Sequence, residues 1–289
     1  MMTREYVDYA QSELLYNKFM EPALQSAIAA LALPPGSVGL DAGCGPGGVF
    51  HLLDGATRGV GRIVGIDLSL PHLRCAQEQI AQRGLQERVQ VVQADLSAPL
   101  PSADDTFDWV WSADVLCSDG EARGFSDPAL IIKEFVRVVR PGGTIAVFLG
   151  NRLGAMFIPG HAHIEQALGT AAELYYRKRD YFRPSFHNEK VLSWLRAAGL
   201  THLKVSAHVT EYQHPLPPEV KRYIQRYIFD EEYKSSPDLK RYAQGMGLTE
   251  EDWQTWLDIS DPGSPNYLLD SQDYYCVAFG TLTTGRSLE

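Results

Sequence analysis

A short stretch, Ser37-Val38-Gly39-Leu40-Asp41-Ala42, runs directly into Gly43-Cys44-Gly45-Pro46-Gly47-Gly48, with an acid one residue before the stretch ends. Glycines at this density let a backbone reverse where side chains would clash, so a strand here hands over to a helix through a tight loop. The pattern recurs downstream. Residues 62–67 read as a second strand ending in an acid, Ser69 caps a helix with Pro71 in its first turn, and 88–93, 107–112 and 144–150 supply three more strands. The helix at 128–139 closes at Arg140-Pro141-Gly142-Gly143. Strands alternating with helices at this spacing are βαβ units, whose right-handed crossovers build a mostly parallel, doubly wound α/β sheet covered on both faces.

After residue 150 the rhythm changes. Helical stretches are expected at 161–179 and 188–198, the latter stopped by Gly199, followed by a strand at 202–212. Residues 215–261 carry helix starts at Pro217-Pro218, at Ser236-Pro237 and at Thr249, whose Asp252 three residues on suits a capping box. They read as a helical insertion, and 274–282 as the closing strand. Residues 1–33 read as an amphipathic helical leader. The resulting organisation is a helical lid at 1–35, a ligand-binding domain at 36–212 and 270–284, and a helical cap at 213–269. Residues 286–289 look like a cloning scar and are set aside.

The 289 residues are 45% hydrophobic and 21% charged, which suits a globular fold and opposes a disordered or fibrous one. No apolar run approaches the roughly 18–20 residues of a membrane helix, and the start lacks a signal peptide's apolar segment, so membrane insertion is not expected and a cytoplasmic location is. A net charge of −10 opposes nucleic acid as the main partner. Cys44, Cys75, Cys117 and Cys276 form no CxxC pair, so neither a disulfide framework nor a metal site is expected.

The loop satisfies GxGxxG through Gly43, Gly45 and Gly48, which admits a dinucleotide. Asp41 discriminates, because a carboxylate beside the loop repels a pyrophosphate and attracts a cationic ligand. S-adenosylmethionine carries both an ammonium and a sulfonium. Asp67, at the second strand's tip, can accept from both ribose hydroxyls, and Asp95, ending the third strand, from an adenine amino group. Three acids on successive strand tips outline one nucleoside-plus-amino-acid ligand along the sheet's carboxyl edge.

With these residues in place, the sequence resembles the class I (Rossmann-like) S-adenosylmethionine-dependent methyltransferases of small-molecule type. The glycine loop, Gly65-Ile66-Asp67-Leu68-Ser69, Ala94-Asp95-Leu96, Phe107-Asp108-Trp109-Val110-Trp111-Ser112 and Val138-Val139-Arg140-Pro141-Gly142-Gly143 carry the resemblance in order. It covers 36–150 well, and 186–212 and 270–283 by pattern. It implies a seven-stranded sheet with an antiparallel last strand. It also implies that Gly43, Gly45 and Gly47 cradle the cofactor with Asp41, that Asp67 and Leu68 meet the ribose, and that Asp95 and Leu96 meet the adenine. Ser112 would lie under the methionine amino group. Where many relatives carry a histidine or acid after the fourth strand, this chain has Asp114-Val115-Leu116-Cys117-Ser118, which departs from that pattern. The Asn or Asp, Pro-Pro, aromatic signature of amino-nucleobase methylation is absent.

Methyl transfer is an in-line displacement that needs alignment in a water-poor pocket, and a base where the acceptor must lose a proton. His163 and then His161, after the fifth strand, are the candidate bases, against a plain reading as exposed loop histidines. Arg177, Lys178, Arg179 and Arg183, interleaved with Tyr175, Tyr176 and Tyr181, can seat an anionic acceptor or simply end a helix. The insertion is rich in aromatics, Tyr223 and Tyr227 among them, and the leader supplies Tyr9 and Tyr16. These rings suit a cap, with Tyr16 closing on the cofactor and Tyr176, Tyr181, Arg183, Tyr223 and Tyr227 shaping the acceptor pocket; ordinary packing of added helices is the other reading. The expected activity is metal-independent methylation of an oxygen, nitrogen or carbon on a small, natural-product-like acceptor in secondary metabolism, yielding S-adenosylhomocysteine. The rival readings are a non-catalytic cofactor-binding regulator and an NAD(P)-dependent oxidoreductase.

Overall fold

The computed structural model describes residues 4–116, 127–177, 188–234 and 237–288. Seven strands form one sheet: β1 (Val38–Ala42), β2 (Arg62–Asp67), β3 (Val89–Gln93), β4 (Phe107–Ala113), β5 (Val139–Met156), β6 (Thr201–Gln213) and β7 (Tyr275–Arg286). Their spatial order is β3-β2-β1-β4-β5-β7-β6. β3, β2, β1, β4 and β5 pair in parallel, and β7 runs antiparallel to both its neighbours. The expected doubly wound sheet with an antiparallel last strand is therefore observed.

The helices follow their local signals. α3 (Phe50–Ala56) leaves the glycine loop, and α4 (Leu70–Gln82) starts at Ser69, whose hydroxyl accepts from the His72 amide. α5 (Pro128–Val138) starts at Asp127, whose carboxylate accepts from Ala129 N at 2.8 Å. α6 (Ala162–Arg177) and α7 (Val191–Ala197) lie between β5 and β6. The insertion holds α8 (Pro218–Tyr223), a π-helix at Ile224–Glu232, α9 (Pro237–Gly245) and α10 (Glu250–Ile259). The capping box at Thr249 is formed in full. The π-helix carries no signal in the sequence; side chains five apart pair along it, Gln225 with Asp230 and Arg226 with Glu231.

Three expectations need correction. The leader is two helices, α1 (Arg4–Phe19) and α2 (Glu21–Ala30), because Pro22 fits the first turn of a new helix. β5 begins at Val139, so Pro141-Gly142-Gly143 lies within a strand with a register shift opposite β4. Arg286 is part of the fold: it pairs with Thr144 and Thr201, and the Ser287 amide donates to Gly143 O.

Side chains alternate across β4, so Trp109 and Trp111 face one layer and Val110 the other. The Val110 side packs under α5 and α7, with Phe135 and Leu195 fully buried. The tryptophan side is larger. It runs without a break from Phe50 and Leu53 of α3 through Phe19 and Leu24 of the leader to Ile228, Phe229 and Trp256 of the insertion. Each such side chain contributes about 1.5–3 kcal/mol by leaving water.

Candidate functional site

The glycine loop leaves β1 through Gly43 (φ +80°), Gly45 (φ +50°) and Gly47 (φ +78°), a left-handed path that side-chain-bearing residues rarely follow. The Gly43 and Cys44 amides donate to Ile66 O, which ties the loop to β2. Behind it, Asp41 is 1% exposed, and its Oδ2 has no hydrogen-bond partner among the described residues. Burial, with the nearby Asp67 carboxylate adding to it, pushes the Asp41 carboxyl up to about 8. Burial and then the charges of Asp41 and Asp67 push the Cys44 thiol well above its ordinary range.

Asp67 ends β2 and accepts from Gly45 N at 3.0 Å and Ser69 N at 2.8 Å. Asp95, two residues past β3, accepts from the Ser97 amide and hydroxyl at 2.8 and 2.6 Å. Leu96 is buried and Leu68 exposed. Ser112 is fully buried and its hydroxyl donates to Ala42 O at 3.0 Å, so its side chain joins β4 to β1. The expected carboxylates thus line one edge of the sheet.

Two groups singled out for other roles, or not at all, stand on the same edge. Asp114, in a left-handed turn (φ +55°) at the end of β4, accepts from Gly150 N at 2.7 Å and from the Tyr16 hydroxyl at 2.7 Å. The stretch taken as a departure from the family pattern therefore does hold an acid at the strand tip. Glu13 of α1 has its Oε2 where a Cβ on Gly45 would lie 2.8 Å away. A polar face recurring at helical spacing along α1 was the available signal for Glu13. For Asp114 it was the acid itself.

The insertion meets the leader above this edge. The Tyr223 ring lies 4.8 Å from Phe19, 5.9 Å from Tyr16 and 5.7 Å from Tyr227. Tyr223 is buried and Tyr227 half-buried. Tyr16, Tyr223 and Tyr227 are therefore brought together. His163 is instead on the exposed side of α6, where its Nε2 lies 2.8 Å from Asp252 of α10; His161 precedes that helix, half-buried. Tyr176 falls on α6. Tyr181, Arg183 and Cys117 lie outside the described residues. Among the described residues no group of acids, histidines and cysteines has the geometry to hold a metal.

A methyltransferase-domain family model matches residues 40–147, which run from within β1 to within β5 and include Asp41, Asp67, Asp95 and Asp114. A ubiquinone biosynthesis O-methyltransferase of Xanthomonas campestris is 30% identical over 198 residues, covering 66% of this chain and 74% of that one. The chain belongs to the class I S-adenosylmethionine-dependent methyltransferases. A malonyl-[acyl-carrier protein] O-methyltransferase of Pseudescherichia vulneris is 43% identical over 115 residues, or 39% of this methyltransferase and 38% of the relative, so under half of that relative's length is spanned. The solved structure of Haemonchus contortus phosphoethanolamine N-methyltransferase 2 shares the fold, with a TM-score of 0.51 at 16% identity over 92% of this methyltransferase and 52% of that chain.

The family's cofactor is S-adenosylmethionine, and the site fits it. A buried carboxylate oxygen without a partner suits a cationic ligand, and the glycine turn leaves room against the backbone. A pyrophosphate beside Asp41 would meet repulsion instead.

Proposed function

We propose that this methyltransferase moves the methyl group of S-adenosylmethionine to an oxygen, nitrogen or carbon of a small molecule, without a metal. The observation that carries the reading is Asp41, buried at the root of the left-handed glycine turn with its Oδ2 lacking a hydrogen-bond partner among the described residues. Asp41 would balance the cofactor's cationic end, with Gly43, Gly45 and Gly47 giving it backbone to lie on. Asp67 with Leu68 would hold the ribose, Asp95 with Leu96 the adenine, and the backbone around Ser112 the amino group. When bound, the cofactor supplies a methyl group on a sulfonium.

The chain's own part is to align the acceptor and exclude water. Tyr16 roofs the site from the leader (1–35), and Tyr223 and Tyr227 face it from the cap (213–269), with Tyr176, Tyr181 and Arg183 assigned to the acceptor side on sequence grounds. Where the acceptor has a proton to lose, Asp114 is better placed to take it than His163 or His161. Asp114 stands at the β4 tip between Gly150 and Tyr16, whereas His163 is spent on Asp252. The acidic net charge favours a small acceptor over nucleic acid, and the cytoplasm is the proposed location. No helix among the described residues is long and apolar enough to cross a membrane.

Calorimetry with S-adenosylmethionine, S-adenosylhomocysteine and NADH tests the cofactor, paired with S-adenosylhomocysteine formation in cell extract for the activity. Binding of the first two and not the third, with product formed, is expected. Binding without turnover would point to a regulator, and NADH binding would sink the reading.

A further inference from the structure

Helix α1 lies across the glycine loop with a single face. Tyr9, Glu13, Tyr16 and Asn17 recur at the three- and four-residue spacing that places side chains on one side of a helix. Tyr9 stacks on His72 at 5.2 Å. Glu13 covers Gly45, Asn17 covers Gly48, and the Tyr16 hydroxyl fills a notch at Gly150, where a Cβ would lie 2.1 Å from it. Three of the four thus stand over positions that have no Cβ.

Glu13 brings a further carboxylate to an edge that already holds Asp41 and Asp67. All three act on the same Cys44 thiol, so they share one electrostatic neighbourhood. The His72 ring stands near two of them, its Nδ1 3.7 Å from Asp67 and 3.8 Å from Glu13. The Asp41 Oδ2, without a hydrogen-bond partner among the described residues, independently marks the place as one for a cation. Closing the Glu13 carboxylate on Asp67, beside an Asp41 whose charged form burial already disfavours, is unfavourable by itself, and a cationic ligand between them reverses the sign. S-adenosylmethionine offers an ammonium and a sulfonium. S-adenosylhomocysteine keeps only the ammonium.

We propose that Glu13 reads the charge on the cofactor's sulfur and seats α1 more tightly over S-adenosylmethionine than over the demethylated product. The inference rests on the cofactor reading above and adds to it a residue that distinguishes substrate from product cofactor. Loss of the methyl group removes the charge that Glu13 answers, and the leader's hold on the site weakens when product has to leave.

The test is calorimetric binding of S-adenosylmethionine and S-adenosylhomocysteine to the full chain and to Glu13→Gln, at about pH 8, where an ordinary histidine is neutral. The variant should bind S-adenosylmethionine about tenfold more weakly and S-adenosylhomocysteine within about twofold of wild type. Equal losses for both, or none for either, overturn the proposal, since a packing or hydrogen-bonding role shifts both alike. Amide hydrogen exchange over residues 9–19 of the wild type decides the matter even if the variant does not fold. Saturating S-adenosylmethionine should slow exchange there more than saturating S-adenosylhomocysteine, and equal protection overturns the proposal. A wild type that binds neither overturns the cofactor reading as well, whereas binding of both with an unaltered preference in Glu13→Gln overturns this inference alone.

Discussion

Asp41 carries a charge that the ligand-free fold disfavours. Its folded value of about 8 lies above the ordinary 3.8, so the neutral form is the one the fold accommodates. The associated stability is fully present below the ordinary value and is lost as pH climbs through about 8. Unfolding free energy without cofactor should therefore fall between these limits. Asp41→Asn should flatten the curve and exceed wild type near pH 8 by about 2 kcal/mol or more, while losing affinity for S-adenosylmethionine; urea denaturation across pH checks this. Binding a cation beside a largely neutral Asp41 should also expel a proton near pH 7, seen as a dependence of the calorimetric enthalpy on buffer ionisation. Gly43 constrains the same spot sterically. A Cβ there would lie 2.2 Å from Val115 Cγ2 at φ +80°, so Gly43→Ala should cost about 1–3 kcal/mol and remove cofactor binding. These roles were partly legible. The strand-plus-glycine pattern marked Asp41 and Gly43, but Asp114 and Glu13 became site residues only when β4, β5 and α1 were brought to one edge.

Among the elements, those with strong local signals followed the sequence. Ser69, Asp127 and Thr249 each cap a helix through bonds spanning two or three residues, so no distant contact is needed to specify them. Thr249→Ala should lower stability by about 1 kcal/mol, read from thermal unfolding. Asp252 also receives His163 across the α6–α10 junction, so His163→Ala should disturb that junction and leave the transfer rate intact; a turnover loss comparable to that of Asp114→Asn would return His163 to the catalytic role. The π-helix at Ile224–Glu232 is the opposite case. Its wider turn agrees with no local preference, and it lies where Phe229 packs edge-on to Trp256 at 5.0 Å, a contact made with a helix more than twenty residues away.

At the scale of the whole molecule, the insertion and the sheet share one core. Trp256 is fully buried against Phe229 and Tyr233, in the same continuous apolar body as Trp111 and Phe148 of the sheet. Removing 216–262 should therefore abolish cooperative unfolding, and Trp256→Ala should cost about 3–5 kcal/mol in denaturant titration. The sequence by itself determined the βαβ order, the glycine turn, the caps and the acids at three strand tips, because periodicity, capping and turn chemistry act over a few residues. Only the tertiary structure decided that the leader's polar face lies on the glycine loop, that Asp114 receives Tyr16 and that His163 points to Asp252. Those pairings span 89 and 98 residues of chain, and packing of the layers, to which no local preference contributes, sets them.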